Sequence, residues 1–286
     1  MLRVGSRRES DIPINFTTPN QARMYDHFTG GSDGYPADHA ACEELQRIAP
    51  GIREGAQMSR AFLRRAVAFL ARDRGVRRFI DHGSGLPARP YLHTIAAEHH
   101  DEVRALYIDD DPMVHAHGRT MLAGHPGAQV LRRDLRCIDG VYRSAEASWV
   151  LEGEEPVAAL FVSVLHTLET DAPEQILRTA VQFLPQGSYV VIAQPTCEDP
   201  EVGRKVDTFM REATGSWGRL TNRNGVVGFF AGLDDVVGPP AALESWLLDP
   251  TESIPEIGTA VTGRMKRQPI VEFGGLAQIP AGGDPD

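Results

Sequence analysis

The stretch Arg78-Phe-Ile-Asp-His-Gly-Ser-Gly-Leu-Pro87 decides how this chain is read. An apolar run ends in an acid, and Asp81-x-Gly83-x-Gly85 turns the corner. A second apolar run, Leu106-Tyr-Ile-Asp109, ends in another acid 24 residues after Gly85. Such a pair marks a nucleotide-like ligand at the carboxyl ends of two parallel strands. The glycines let the backbone approach the ligand, and the second acid takes the ribose hydroxyls.

The surrounding pattern alternates. Residues 77–81, 103–109, 129–132, 157–164 and 188–193 read as strands, with helices over 88–99, 111–123 and 173–183. Asp111-Pro112 is a good helix start, an N-cap followed by proline in the first turn. This alternation predicts a mostly parallel sheet with helices on both faces, an α/β fold of Rossmann-like type. Upstream, 21–28, 37–48 and 56–72 read as helices, the last from the helical spacing of Phe62, Leu63, Ala66, Val67, Phe69 and Leu70. The glycines of Thr29-Gly-Gly-Ser-Asp-Gly34 end the first of them. Downstream, 204–213 and 226–230 read as helical, and 235–237 and 273–279 as late strands, with 249–270 irregular. The expected organisation is an arm over 1–19, a helical cap over 20–55, a ligand-binding domain over 56–279 and a tail over 280–286.

The 286 residues are 42% hydrophobic and 24% charged, enough for one large domain and a sizeable core. Net charge is −10 and no basic run could track a phosphate backbone, which argues against nucleic acid as partner. Cys42, Cys137 and Cys197 lie far apart and give neither a disulfide framework nor a CxxC metal motif, which fits a reducing cytoplasm. The N-terminus lacks the apolar core of a signal peptide, and the apolar stretch 156–165 suits a buried strand rather than a membrane span. The arm 1–19 is long enough to reach a second subunit, which leaves a homodimer open. His99-His100 and the pair His115 and His117 read as solvated helix faces, so no metal site is expected.

Gly83-Ser-Gly85-Leu-Pro-Ala88 formally satisfies the dinucleotide GxGxx(G/A) pattern, but two details lean away from NAD. The pattern comes late in the chain, and Asp81 would repel a pyrophosphate laid over the glycines. A carboxylate there suits a ligand with an ammonium group and a sulfonium, and S-adenosylmethionine fits that description. Asp134, after the third strand, stands where an adenine amino group could donate, with the Leu135 amide beside it. Each acid also has a plainer reading: Asp81 as a helix cap, Asp109 as a turn holder, Asp134 as a surface acid.

Further motifs make the resemblance specific. The chain resembles a bacterial S-adenosylmethionine-dependent methyltransferase family, formerly a domain of unknown function, whose hallmark is an N-terminal ARxYDxxxGG stretch. Here that is Ala22-Arg23-Met24-Tyr25-Asp26-His27-Phe28-Thr29-Gly30-Gly31. Ser59-Arg-Ala-Phe-Leu-Arg-Arg-Ala66, Asp81 to Pro87, Tyr107 to Pro112, Phe161-Val-Ser-Val-Leu-His166, Leu184 to Tyr189, Phe229 to Leu233 and Phe273-Gly-Gly-Leu276 follow in the family's order. The resemblance implies a class I methyltransferase fold with a seven-stranded sheet and an N-terminal helical cap. By position it implies that Asp81, Gly83 and Gly85 cradle the methionine part and that Asp109, with Asp110 beside it, meets the ribose. Asp134 and Leu135 would meet the adenine, and Ser163 would lie at the cofactor's amino end. Tyr25, Gly30 and Gly31 would close over the pocket, and Arg60 would pair with the methionine carboxylate or else sit on the helix surface. The chain departs from the family pattern at His82, where an aliphatic residue is usual, at Ser59, and around Trp246 to Pro250.

These readings make the acceptor a small molecule, with a setting in secondary metabolism resting on the family type alone. If the nucleophile carries a proton, a base within hydrogen-bond reach assists. His166 is the first candidate, then His82 and His27, each of which has packing or capping as its plainer role. Two other classes stay open. One is an enzyme that uses the cofactor's charge for a rearrangement or cyclisation, motivated by His82. The other is a non-catalytic cofactor-binding module.

Overall fold

In the computed structural model, residues 14–170, 172–246 and 268–280 are described. The expected arm up to residue 13, the segment 247–267 and the tail from 281 lie outside them. Three helices open the described chain: α1 (Gln21–Phe28), α2 (Pro36–Ile48) and α3 (Ile52–Arg74). Then β1 (Arg78–His82), α4 (Leu92–Ala97), β2 (Arg104–Asp109), α5 (Pro112–Met121) and β3 (Ala128–Arg132) alternate. Two short helices, α6 (Ile138–Tyr142) and α7 (Ala145–Leu151), precede β4 (Val157–Val162), α8 (Pro173–Phe183) and β5 (Tyr189–Cys197). The chain continues through α9 (Pro200–Thr214), α10 (Arg223–Phe229), the two-residue strands β6 (Asp234–Asp235) and β7 (Ala241–Ala242), and β8 (Ile270–Gln278).

The sheet runs β3-β2-β1-β4-β5-β8-β6, with β7 pairing on β8. The first five strands are parallel, and β8 returns antiparallel beside β5. The sheet is therefore mixed, with eight strands where the family pattern implied seven. Strand β4 is buried along its whole length, as a central strand covered on both faces must be. Period-two alternation divides β1 between two cores. Phe79 packs with Phe62, Leu63, Ala66 and Leu70 of α3, and Ile80 packs on the opposite face with Val141, Tyr142 and Ala147 of α6 and α7.

Four differences from the expected elements have physical causes. α4 starts at Leu92 rather than 88, because Pro87 and Pro90 disfavour helical backbone in the residues before them. α6 and α7 were not anticipated; five and seven residues are too short for a helical period to show, although Ser144, which accepts from the Ala147 N–H, is a readable N-cap. β5 runs past 193 to Cys197 because β8 keeps pairing after β4 has ended, from Gln194–Phe273 to Cys197–Ile270. α3 begins at Ile52 and runs unbroken through residue 56, so one helix joins the expected cap to the expected binding domain. Among the described residues, no helix is long and apolar enough to cross a membrane.

Candidate functional site

The carboxyl ends of β1, β2 and β4 converge, and the corner after β1 is built against the end of β2. The Gly83 and Ser84 N–H groups donate to the Ile108 carbonyl at 2.8 and 2.9 Å, and the Gly85 N–H donates to Asp109 Oδ2 at 2.9 Å. Asp109 Oδ1 accepts from the Asp111 N–H at 3.0 Å. Gly83 sits at φ +69°, where an added Cβ would fall 2.2 Å from Val164 Cγ2, so no larger residue fits this turn. After β4, Ser163 takes the left-handed conformation at φ 55° and donates its N–H to the Ala193 carbonyl at 2.7 Å. A non-glycine residue held there marks a strained, well-braced site.

A cavity of about 320 Å³, the size of a small-ligand pocket, opens over these strand ends. Asp81, Gly83, Gly85, Asp109, Asp110, Asp134, Leu135 and Ser163 all line it. Asp81 is only 7% exposed, and burial raises its carboxyl to about 6 against the opposing pull of Arg60. Burial likewise raises the half-buried Asp109 to about 7, against the hydrogen bonds from Asp111 and Gly85. Asp110 is exposed at the rim, and its carboxyl is raised by desolvation and then by Asp134 and Asp111. Asp134 behaves oppositely: Arg136 hydrogen-bonds and pairs with it at 2.7 Å, which lowers it, and Asp134 also caps the 3₁₀ turn at Leu135.

The roof comes from α1 and α3. Tyr25, Ala56, Arg60 and Leu63 reach the cavity, and burial pushes the Tyr25 phenol up to about 12 against Arg60. The Tyr25 hydroxyl donates to the Ala56 carbonyl at 3.3 Å, and Ser59 Oγ and Ser163 Oγ share a 2.7 Å hydrogen bond that ties roof to floor. Arg60 donates to the Ala88 carbonyl at 2.9 Å and borders a second cavity as well. Gly30 and Gly31 line that second cavity rather than the first. The rest of the N-terminal motif is architectural. Arg23 is buried and pairs with the fully buried Asp38 at 2.7 Å. The Asp26 carboxylate fills the space a Gly31 side chain would need and accepts from the Asp33 N–H at 3.0 Å.

The three candidate histidines part company. His166 lines the cavity beside Trp217, and its Nδ1–H donates to Gln194 Oε1 at 2.7 Å. Gln194 is held by its own Nε2–H on the Phe161 carbonyl at 3.2 Å, so His166 keeps Nε2 as an acceptor. Burial lowers the ring to about 4, so it is neutral near pH 7. His82, by contrast, is fully buried on the face of β1 opposite Asp81. It stacks on Phe161 at 4.1 Å, donates from Nδ1 to the Leu160 carbonyl, and receives the Tyr142 hydroxyl at Nε2. Both nitrogens are used inside the core, so this ring does not reach the cavity. His27 lies on the other side of the roof, packed on His39 and 3.1 Å from the Arg53 guanidinium, outside both cavities.

Sequence reasoning missed Glu272, Gln194, Trp217 and Met210. Glu272 carried a signal, an acid inside the buried strand Ile270-Val-Glu-Phe273. The others enter from chain segments with no motif of their own.

The residues present fit a ligand with an ammonium and ribose hydroxyls. No protein group donates to the Asp81 carboxylate among the described residues, and nothing stands within 4 Å of where a Gly85 Cβ would point. The Asp81 carboxyl is largely buried and lines the cavity, where a ligand cation would offset the cost of its charge. The comparisons with known proteins agree. The chain is similar over 93% of its length to a crystal structure from Thermobifida fusca described as a candidate methyltransferase, at 27% identity, TM-score 0.80 and 97% of that chain. A DUF574 family protein from Streptomyces avermitilis matches over 93% of this chain and 99% of its own, at 28% identity and TM-score 0.79. No protein of curated function matches. The model of the family described as S-adenosyl methyltransferase matches residues 7–280. The cofactor is therefore S-adenosylmethionine, and the chain belongs to the S-adenosyl methyltransferase family.

Proposed function

We propose that this enzyme methylates a small molecule held in the cavity beyond the acid–glycine corner. Secondary metabolism is the setting its family type suggests, and its three free cysteines suit a cytoplasm. The observation that carries the reading is that the cavity does not end at the cofactor residues. It continues under α1, α3 and α9 into walls formed by Phe28, Leu45, Met210 and Trp217, with His166 at their edge.

When bound, S-adenosylmethionine supplies an electrophilic methyl group on a sulfonium. Asp81 would hold the ammonium, Asp109 the ribose, and Asp134 with the Leu135 amide the adenine. Ser163 would stand at the amino end, and Arg60 would face the carboxylate across a geometry guanidinium suits. Tyr25 and the α3 residues exclude water, so alignment does most of the catalytic work. His166 is neutral, fixed in its tautomer by Gln194, and able to accept a proton from the nucleophile at Nε2.

The motive for a non-methylating reaction was His82, and its ring is committed to the core. The test is turnover of S-adenosylmethionine with a panel of small amines, phenols and alcohols, followed by mass spectrometry of product. Formation of S-adenosylhomocysteine with a methylated acceptor supports the proposal. Tight cofactor binding with no turnover on any acceptor would instead favour the binding-module reading. His166→Ala should lower kcat by about a hundredfold or more if the ring is the base.

A further inference from the structure

Glu272 is the group in the cavity that the cofactor does not explain. It stands on β8 opposite Pro195, 3% exposed. Strand alternation turns it to the α3 side, where its Cγ lies 3.3 Å from the position of a Cβ on Gly55. Its Oε2 has no hydrogen-bond partner, and it forms no ion pair among the described residues. The polar groups that act on it are Tyr25 from α1 and Ser59 from α3, and Arg60, Asp81 and Ser163 line the same cavity. Arg60, the one cation among these, is turned to the Ala88 carbonyl. Burial raises the Glu272 carboxyl to about 8, with the Ser59 hydroxyl working against it. The cavity beside it is walled by Met24, Phe28, Ile52, Met210 and Trp217.

We propose that Glu272 anchors the methyl acceptor, and that the acceptor is an apolar, aromatic-bodied molecule whose protonated amine sits against Oε2. The inference rests on the methyltransferase reading and names its substrate class. A hydroxyl would satisfy only the unpartnered oxygen of the carboxyl, whereas an ammonium also draws off its proton and pairs with the carboxylate left behind. The apolar walls then take the body.

The test uses the full chain saturated with S-adenosylhomocysteine, titrated calorimetrically with 2-phenylethylammonium and with 2-phenylethanol as its neutral match. The wild-type protein should bind the ammonium at least about tenfold more tightly. Repeating the titration near pH 7 in buffers of different ionisation heat should show release of about one proton per amine bound, because the carboxyl must ionise to hold the cation. Glu272→Gln should keep its affinity for S-adenosylhomocysteine while the preference falls to within about twofold. Equal affinity for the two probes, binding of neither, no proton release, or a preference that survives Glu272→Gln would each overturn the proposal. The wild-type arms decide it even if the variant does not fold. Failure of the wild-type protein to bind S-adenosylhomocysteine would overturn the methyltransferase reading beneath it instead.

Discussion

The floor of the cavity and its roof both present buried acids and hydroxyls, but they assemble them differently. The floor is local. Asp81 near the end of β1 and Gly83 and Gly85 in the turn after it fall within five residues, and Asp109 is fixed to that turn by the Gly85 N–H. The roof is assembled from afar. Tyr25 of α1 and Ser59 of α3 meet Glu272 of the last strand only because α3 lies across the sheet. On the floor Asp109 finds backbone donors within its own turn, whereas Glu272 is left with an unpartnered oxygen. An acid held by its neighbours in sequence, as Asp109 is, carries its own hydrogen-bond partners; one brought in by a distant strand, as Glu272 is, leaves an oxygen for a ligand to satisfy.

This contrast can be broken by substitution. The largest expected effect is on the roof. Glu272 has a folded-state carboxyl raised to about 8, so the unliganded protein loses stability as pH rises from its unfolded value near 4.5 through 8. Relative to wild type, Glu272→Gln should therefore gain roughly 4 kcal/mol between pH 5 and pH 9, read from urea unfolding at both pH values. A pH-independent difference would show that the carboxyl is not held in a costly place. On the floor, Gly83→Ala combines a positive φ with a collision on Val164, and should lower stability by about 3 kcal/mol in the same experiment. Asp109→Ala removes the proposed ribose acceptor and the anchor of Gly85, and should weaken S-adenosylmethionine binding by about a hundredfold in calorimetry. An effect of Asp109→Ala on unfolding alone, with binding intact, would remove Asp109 from the cofactor site. The smallest effect belongs to His27, outside both cavities: His27→Ala should leave cofactor affinity within about twofold and stability within about 0.5 kcal/mol.

The same division governs what the amino-acid sequence disclosed. The strands β1 to β5, the helices α1 and α8 and the acid–glycine corner were legible because each rests on neighbouring residues, through period, cap or turn. His82 was misplaced because sequence puts it next to Asp81, while strand alternation sends it to the opposite face and into a core of Phe161 and Tyr142. The glycine pair after α1 was expected over the cofactor and instead lines the neighbouring cavity, where Gly31 makes room for the Asp26 carboxylate. The extension of β5 depends on pairing with a strand more than seventy residues later, which no local pattern encodes. Glu272 reaches the cavity only through that pairing.

The central claim is that the corner at Asp81–Gly85 and the acid at Asp109 hold S-adenosylmethionine. Calorimetric titration of the folded protein with S-adenosylmethionine and, separately, with NAD tests it most directly. The account predicts micromolar binding of S-adenosylmethionine, no heat with NAD, and loss of the signal in Asp109→Ala. Folded protein that binds NAD and leaves S-adenosylmethionine in solution would contradict it.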